Sequence, residues 1–130
     1  MKGDATTCTE METRMDSPEE RLERGITFKI EGRYEEATAV IRSVLENFPD
    51  NAEALHQLGL IYGFVGLFDE SLSALRRATE LAPENVLALN DLALTYTMLG
   101  MYDEAKQEFA RVLERDRQND VALRNLTYLH

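Results

Sequence analysis

The residues best suited to catalysis or metal binding are few and lie far apart in the sequence. The chain of 130 residues has one cysteine, Cys8, and two histidines, His56 and His130. His56 follows Glu53 by three positions, so on a helix the two side chains can share one face and contact one metal ion. Two ligands do not make a protein metal site, and an ordinary surface histidine is the simpler interpretation of His56. We therefore predict no metal site and no cofactor.

The other parts of a catalytic site are also missing from the sequence. A side-chain nucleophile needs a base and an orienting group that converge on it. The sequence has no glycine-rich phosphate loop, no cluster of cysteine and histidine residues and no serine in a nucleophile-elbow context. We predict that the chain is not an enzyme.

Charge limits the kinds of partner. The net charge is −10, and the 14 basic residues are scattered among 24 acidic ones without forming a basic run. Nucleic acids and anionic membrane surfaces both attract clustered lysine and arginine, so neither is expected as a partner. A single cysteine cannot form an internal disulfide, and a reducing, cytoplasmic location follows as the expectation.

The first 17 residues differ from the rest of the chain. They carry four acidic residues, have no helical periodicity and contain no apolar run of the length a secretory signal needs. No stretch of the sequence is long and apolar enough to span a bilayer. We predict a disordered tail over residues 1–17 and a folded domain over residues 18–130.

The elements that would position any functional residue repeat every 34 residues. A column of glycines and a column of residues suited to helix N-caps define this period. The glycines are Gly32, Gly66 and Gly100, and the capping residues are Ser17, Asn51, Asn85 and Asn119. Between these positions apolar residues recur at helical spacing, and no window alternates with a period of two. The sequence predicts an all-α fold of helix pairs, each pair turning at a glycine in the left-handed conformation.

The second repeat carries a resemblance to a known family. Its residues are Leu55, Leu58, Gly59 and Tyr62, then Gly66, Phe68, Asp69, Glu70 and Ser71, and finally Leu75, Ala78 and Pro83. This spacing resembles the tetratricopeptide repeat (TPR). The resemblance implies a right-handed α-solenoid of antiparallel helix pairs, with repeats at residues 18–51, 52–85 and 86–119 and a capping helix at 120–129.

The resemblance also implies a binding surface. In this family the first helix of each repeat lines a concave groove that holds a peptide or helix of a partner protein. The corresponding residues here are Leu22, Ile26, Ile30, His56, Leu60, Phe64, Leu87, Asn90, Leu94, Met98, Arg124 and Tyr128.

Two columns of these residues decide the expected character of the groove. Ile26, Leu60, Leu94 and Tyr128 form one column, and Ile30, Phe64 and Met98 form a second column four positions later. Residues four apart lie on the same helix face, and a contiguous apolar patch usually marks an interaction site. We therefore predict an adaptor or scaffold that binds an apolar peptide or an amphipathic helix.

Family members that bind chaperones hold a C-terminal carboxylate with lysine, asparagine and arginine side chains. The matching positions here are Leu22, Ile26, Gln57, Leu87 and Asp91, and none is basic. The acidic C-terminal tails of the major heat-shock chaperones are therefore not expected to bind.

Two alternatives remain open at the level of sequence. The short fourth unit, residues 120–130, gives the chain an apolar end that can pair with a second copy to form a weak homodimer. Small acidic three-repeat chaperones of type III secretion also resemble this chain in size, charge and groove.

Overall fold

Seven α-helices account for the regular structure of residues 17–129, the part of the chain that the computed structural model describes. They are α1 (Pro18–Ile30), α2 (Tyr34–Asn47), α3 (Ala52–Phe64), α4 (Phe68–Leu81), α5 (Val86–Met98), α6 (Tyr102–Arg115) and α7 (Asp120–Leu129). This stretch contains no β-strand. The predicted all-α helical-repeat fold is confirmed. The tail predicted to be disordered lies outside the described residues except for Ser17.

The described residues form two compact units that divide between Pro49 and Asp50. In the first unit α1 packs on α2. In the second unit the helices α3 to α7 pack in chain order, each on the next, and α3 also contacts α5. Within residues 17–129 no helix is long and apolar enough to cross a bilayer.

Side-chain caps begin four of the helices, as the sequence predicts. Ser17 and Glu20 form a capping box in which each side chain accepts from the other residue's backbone amide, at 3.1 and 2.8 Å. Asn51, Asn85 and Asn119 each accept from the amide three residues later, at 2.9, 3.2 and 3.0 Å. Such a cap stabilises a helix by about 1 kcal/mol because it satisfies an amide donor that the helix itself leaves unpaired.

Glycine makes the turn inside each helix pair. Gly32, Gly66 and Gly100 have φ angles of 80°, 85° and 77°. Residues with a Cβ atom rarely adopt this left-handed conformation, so the period of the glycines fixes where each first helix ends.

The core of the second unit is assembled from α4, α5, α6 and the start of α7. Its fully buried members include Leu75, Leu89, Phe109 and Val112, with Ala122 at the α7 end. Leu126 and Leu129 pack against this core. Leu123 does not pack there and is 46% exposed, because it lies one residue after Ala122 and so about 100° around the helix from it.

Candidate functional site

A pocket of about 200 Å³ lies between α3 and α5, with α4 beneath it. All of its walls belong to the second unit. The residues that line it are Gly59, Leu60, Gly63, Phe64, Phe68, Ser71, Leu75, Asp91, Leu94, Thr95 and Met98.

Four of the apolar side chains that line this pocket come from α3 and α5, and we call them the apolar rim: Leu60 and Phe64 from α3, and Leu94 and Met98 from α5. Phe64, Leu94 and Met98 are 59%, 37% and 64% exposed, and Leu60 is half-buried. On each helix the two residues are four positions apart and therefore share one face. Sequence reasoning proposed these four residues for the groove, and the structure brings them together.

The floor of the pocket is formed where α3 crosses α4. A Cβ atom on Gly59 would lie 2.7 Å from Cγ of Leu75, closer than real Cβ atoms approach a neighbour. The buried Ser71 hydroxyl donates to the Gly59 carbonyl at 2.7 Å. Glycine at position 59 therefore allows the helices to approach closely and leaves space above them for the pocket.

His56 and Asp91 form a polar contact between α3 and α5. Nε2 of His56 lies 2.7 Å from Oδ2 of Asp91, and the side chain of His56 is only 6% exposed. The interpretation of His56 as a surface histidine is therefore wrong. Its position on α3 faces α5, which covers the ring. Nδ1 is 3.9 Å from Oε1 of Glu53 and has no hydrogen-bond partner.

Two further residues predicted to face the groove are instead buried. Leu22 is 6% exposed and lies three positions before Gly25, on the α1 face that packs on α2; a Cβ on Gly25 would lie 2.7 Å from Cγ1 of Ile41. Asn90 is 5% exposed, and its Nδ2 donates to Oδ1 of Asn119 at 3.0 Å. Asn90 therefore joins α5 to the start of α7.

The other predicted groove residues do not line the pocket. Leu87 and Tyr128 are 69% and 82% exposed, and Arg124 is an exposed residue that pairs with Asp120 in the preceding turn of α7. Ile26 and Ile30 belong to the first unit, where Ile26 is half-buried and Ile30 is 77% exposed.

Sequence reasoning missed six residues that line the pocket, and they are Gly59, Phe68, Ser71, Leu75, Asp91 and Thr95. Asp91 was considered only as a position that lacks a basic side chain. Helical spacing was the available signal, since Asp91 lies three residues before Leu94 and seven before Met98 and so shares their face.

The polar groups near the pocket do not form a recognisable metal centre. Within residues 17–129 no group of three or more histidine, cysteine, aspartate or glutamate side chains converges as metal ligands do. Glu53, which was paired with His56 at the sequence level, instead accepts from Nε2 of Gln57 at 2.8 Å. The charged side chains of α3 and α5 are Glu53 and Asp91, and neither helix contains lysine or arginine.

Solved structures share this fold. The first TPR domain of Spaghetti (RPAP3), bound to the HSP90 peptide SRMEEVD, is 22% identical with a TM-score of 0.82, and the match covers 86% of this chain and 89% of that one. The second TPR domain of human RPAP3, in complex with the HSP70 peptide SGPTIEEVD, is 25% identical with a TM-score of 0.78, over 87% and 98% of the two chains. The Arabidopsis OM64 TPR domain is 18% identical with a TM-score of 0.81, over 87% and 93%.

Comparison by sequence gives the family. No curated protein matches the chain. The family profile of the tetratricopeptide repeat matches residues 50–118, which is more than half of the chain. Repeats of this kind stack into a surface for binding other proteins. The chain therefore belongs to the tetratricopeptide repeat family, a protein-interaction fold.

Proposed function

We propose that this chain is an adaptor that holds an apolar peptide or an amphipathic helix of a partner protein between α3 and α5. The observation that carries the proposal is the apolar rim, in which Phe64 and Met98 are more than half exposed beside an open pocket. Exposed apolar residues that lie together around a concavity are typical of sites that bind protein segments. A cytoplasmic location, expected from the single cysteine, is part of the proposal.

The size of the rim sets the expected affinity. Fully burying one exposed large apolar side chain stabilises a complex by about 1.5–3 kcal/mol, so the four rim residues, which are already partly buried in the free chain, contribute at most roughly 6–12 kcal/mol. Association costs about 4–15 kcal/mol in lost freedom of motion. The partner contributes apolar surface as well, and the balance favours affinity in the micromolar range, which suits an adaptor that exchanges partners.

Peptide complexes of similar domains support a peptide as the partner. The human RPAP3 domain, at 25% identity, was solved with a bound peptide. The two peptides in the similar structures both end in the acidic sequence EEVD. The groove proposed here differs in its chemistry, since α3 and α5 offer apolar side chains and carboxylates.

The test uses a fluorescein-labelled peptide of about 14 residues, long enough to form an amphipathic helix on a surface. Leucines at helical spacing form one face, and glutamine and alanine form the other. Replacing both Phe64 and Met98 by Gln should weaken binding at least about tenfold, because the peptide then loses two apolar contacts. The measurement is fluorescence anisotropy.

The matched control is Tyr102→Gln. Tyr102 is 53% exposed on α6, a helix that does not line the pocket, so its replacement should leave peptide affinity unchanged. Circular dichroism should show unchanged helix content in both variants, since all three residues are exposed and glutamine is a good helix former. Equal affinity of wild type and the double variant contradicts the proposal.

Self-association is a second candidate, and α7 carries the observation that favours it. Leu123 and Tyr128 are 46% and 82% exposed on this helix. If two copies pair through α7, sedimentation of the chain alone should show a dimer that Leu123→Gln combined with Tyr128→Gln converts to a monomer. A wild-type monomer at high concentration removes this candidate.

A further inference from the structure

We infer that the segment bound between α3 and α5 is cationic as well as apolar: it places a lysine or arginine beside the apolar side chain that enters the pocket, and Asp91 binds that cation. The inference rests on the proposed function and adds a chemical class to the partner. It draws on the position of Asp91, its contact with His56 and the distribution of charge on the two helices.

Asp91 is a carboxylate in a mostly apolar setting. Its side chain is 27% exposed and lines the pocket together with Leu94 and Met98. A partly buried charge interacts more strongly with a nearby charge than an exposed one does, because less water screens it. Asp91 can therefore distinguish cationic from anionic ligands at the edge of the pocket.

The contact with His56 holds Asp91 in position. Nε2 of His56 lies 2.7 Å from Oδ2 of Asp91, and the side chain of His56 is only 6% exposed. Because the ring is buried, the contact fixes the Asp91 carboxylate at the edge of the pocket. It engages one carboxylate oxygen, and a carboxylate has a second oxygen that can accept from a ligand.

No lysine or arginine of these helices compensates the carboxylate. The charged side chains of α3 and α5 are Glu53 and Asp91. Glu53 is 47% exposed and adds a second negative charge next to His56. A partner carboxylate is therefore repelled here, whereas a partner ammonium or guanidinium group at the pocket meets the carboxylate of Asp91, and α3 and α5 have no lysine or arginine that competes with it.

Helix geometry places the cation close to the apolar contact. Leu94 and Met98 lie three and seven residues after Asp91 on the same helix, so the carboxylate is about one turn from the nearest part of the rim. A bound segment thus satisfies both features when its basic residue is about one turn from its apolar anchor. The recognised pattern is an apolar face with a lysine or arginine at its edge.

Three labelled peptides test this inference on the full chain. They share the leucine face described above and carry lysine, glutamine or glutamate at the same flanking positions. The lysine peptide should bind about tenfold more tightly than the glutamine peptide, because a partly buried charge pair is worth more than an exposed one. The glutamate peptide should bind more weakly than both. Added NaCl should reduce the affinity of the lysine peptide and leave that of the glutamine peptide nearly unchanged.

Asp91→Asn assigns the effect to one residue. Asparagine keeps an oxygen that accepts from His56 and removes the charge, so the lysine peptide should lose most of its advantage while the glutamine peptide binds as before. Asp103→Asn is the control, since it makes the same change of net charge on exposed Asp103 of α6, outside the pocket. It should leave all three affinities unchanged. Glu53→Gln, a change at an exposed side chain, should reduce the advantage of lysine by a smaller factor.

The outcomes separate the inference from the proposed function. Tight binding of the glutamine peptide with no gain from lysine overturns the inference and leaves the apolar groove intact. Failure of the lysine peptide to bind overturns the inference, and failure of all three peptides also contradicts the proposed function. An equal loss of lysine-peptide binding in Asp91→Asn and Asp103→Asn assigns the effect to net charge and overturns the role of Asp91.

Discussion

The junction of α3 with α4 and the junction of α5 with α6 occupy the same place in successive repeats, yet different side chains pack them. Gly59 faces Leu75 in the first junction, and at the same repeat positions in the second are Ala93 and Phe109. The first junction also contains the hydrogen bond from the Ser71 hydroxyl to the Gly59 carbonyl. In the second junction, alanine replaces serine at position 105, and it is fully buried.

The same helix-pair architecture therefore serves two purposes, since one junction fills the core and the other lies beneath a pocket. The α5–α6 junction lies wholly within the core, where the larger pair of alanine and phenylalanine fills the space between helices. The α3–α4 junction uses smaller residues, and Gly59, Ser71 and Leu75 form the floor of the pocket. The two helices of each pair thus pack closely in both repeats. The size of the residues at their junction decides whether a pocket remains above them.

The largest expected effect comes from emptying the core junction. Phe109 is fully buried, and Phe109→Ala should lower the free energy of unfolding by about 3–5 kcal/mol, since it removes a large side chain and leaves a cavity. Leu75→Ala, the matched change at the other junction, should cost about 2–5 kcal/mol and less than the phenylalanine change. Urea denaturation measures both. A larger loss for Leu75→Ala would mean that the α3–α4 junction is the more tightly packed of the two.

Substitution of Gly59 should have the next largest effect on stability. Gly59→Ala should destabilise the chain by about 1–3 kcal/mol, because the new methyl group lies 2.7 Å from Cγ of Leu75 and the side chain must shift. Gly63→Ala is the matched control on the same helix, where the nearest atom is the Ser71 hydroxyl oxygen at 3.6 Å. That change should be neutral or stabilise by up to about 1 kcal/mol through helix propensity. Equal effects of the two substitutions on the thermal midpoint would contradict the close approach at Gly59.

The serine hydrogen bond has a smaller effect. Ser71→Ala should cost about 0.5–1.5 kcal/mol, since it removes one buried hydrogen bond to the Gly59 carbonyl. Ser73→Ala on the exposed face of α4 should change stability by no more than about 0.5 kcal/mol. If Ser71→Ala leaves the free energy of unfolding in urea unchanged, the α3–α4 junction is stabilised by side-chain packing alone, as the α5–α6 junction is.

The smallest effect appears at alkaline pH and belongs to α5. Burial raises the pKa of Tyr96 above its ordinary value of 10.0. The unfolded chain therefore ionises this residue first, and the stability that Tyr96 contributes is present below about pH 10 and is lost as the pH rises through the folded pKa. In thermal melts between pH 9 and 11, the melting temperature should fall more steeply with pH for wild type than for Tyr96→Phe. Tyr102→Phe, at a residue 53% exposed, should behave as wild type does.

Much of the fold was predictable because its signals are local. The capping positions Ser17, Asn51 and Asn85 and the glycines of the turns act within one helical turn, so their chemistry can be read without knowing the neighbours. The 34-residue period then relates these local signals to a stack of similar helix pairs.

The candidate site was predictable only in part. Leu60, Phe64, Leu94 and Met98 could be placed together because equivalent positions of successive repeats face the same way. Leu22 and Asn90 share one column, four positions before the column of Leu60 and Leu94, yet they are buried. The repeat pattern assigns a residue to a helix face. Whether that residue is exposed in the groove or buried between helices depends on where the adjacent helices lie.

The sequence by itself determined the helices, their turns and the apolar columns, since these depend on interactions between residues close in the chain. Tertiary structure alone decided that His56 contacts Asp91, 35 residues later, and that the carboxylate of Asp91 lies at the edge of the pocket. It also decided that Gly59 and Ser71 form the pocket floor. Contacts across helices depend on the distance and rotation of each pair, and side-chain volumes such as those of Leu75 and Phe109 set these quantities once the helices pack.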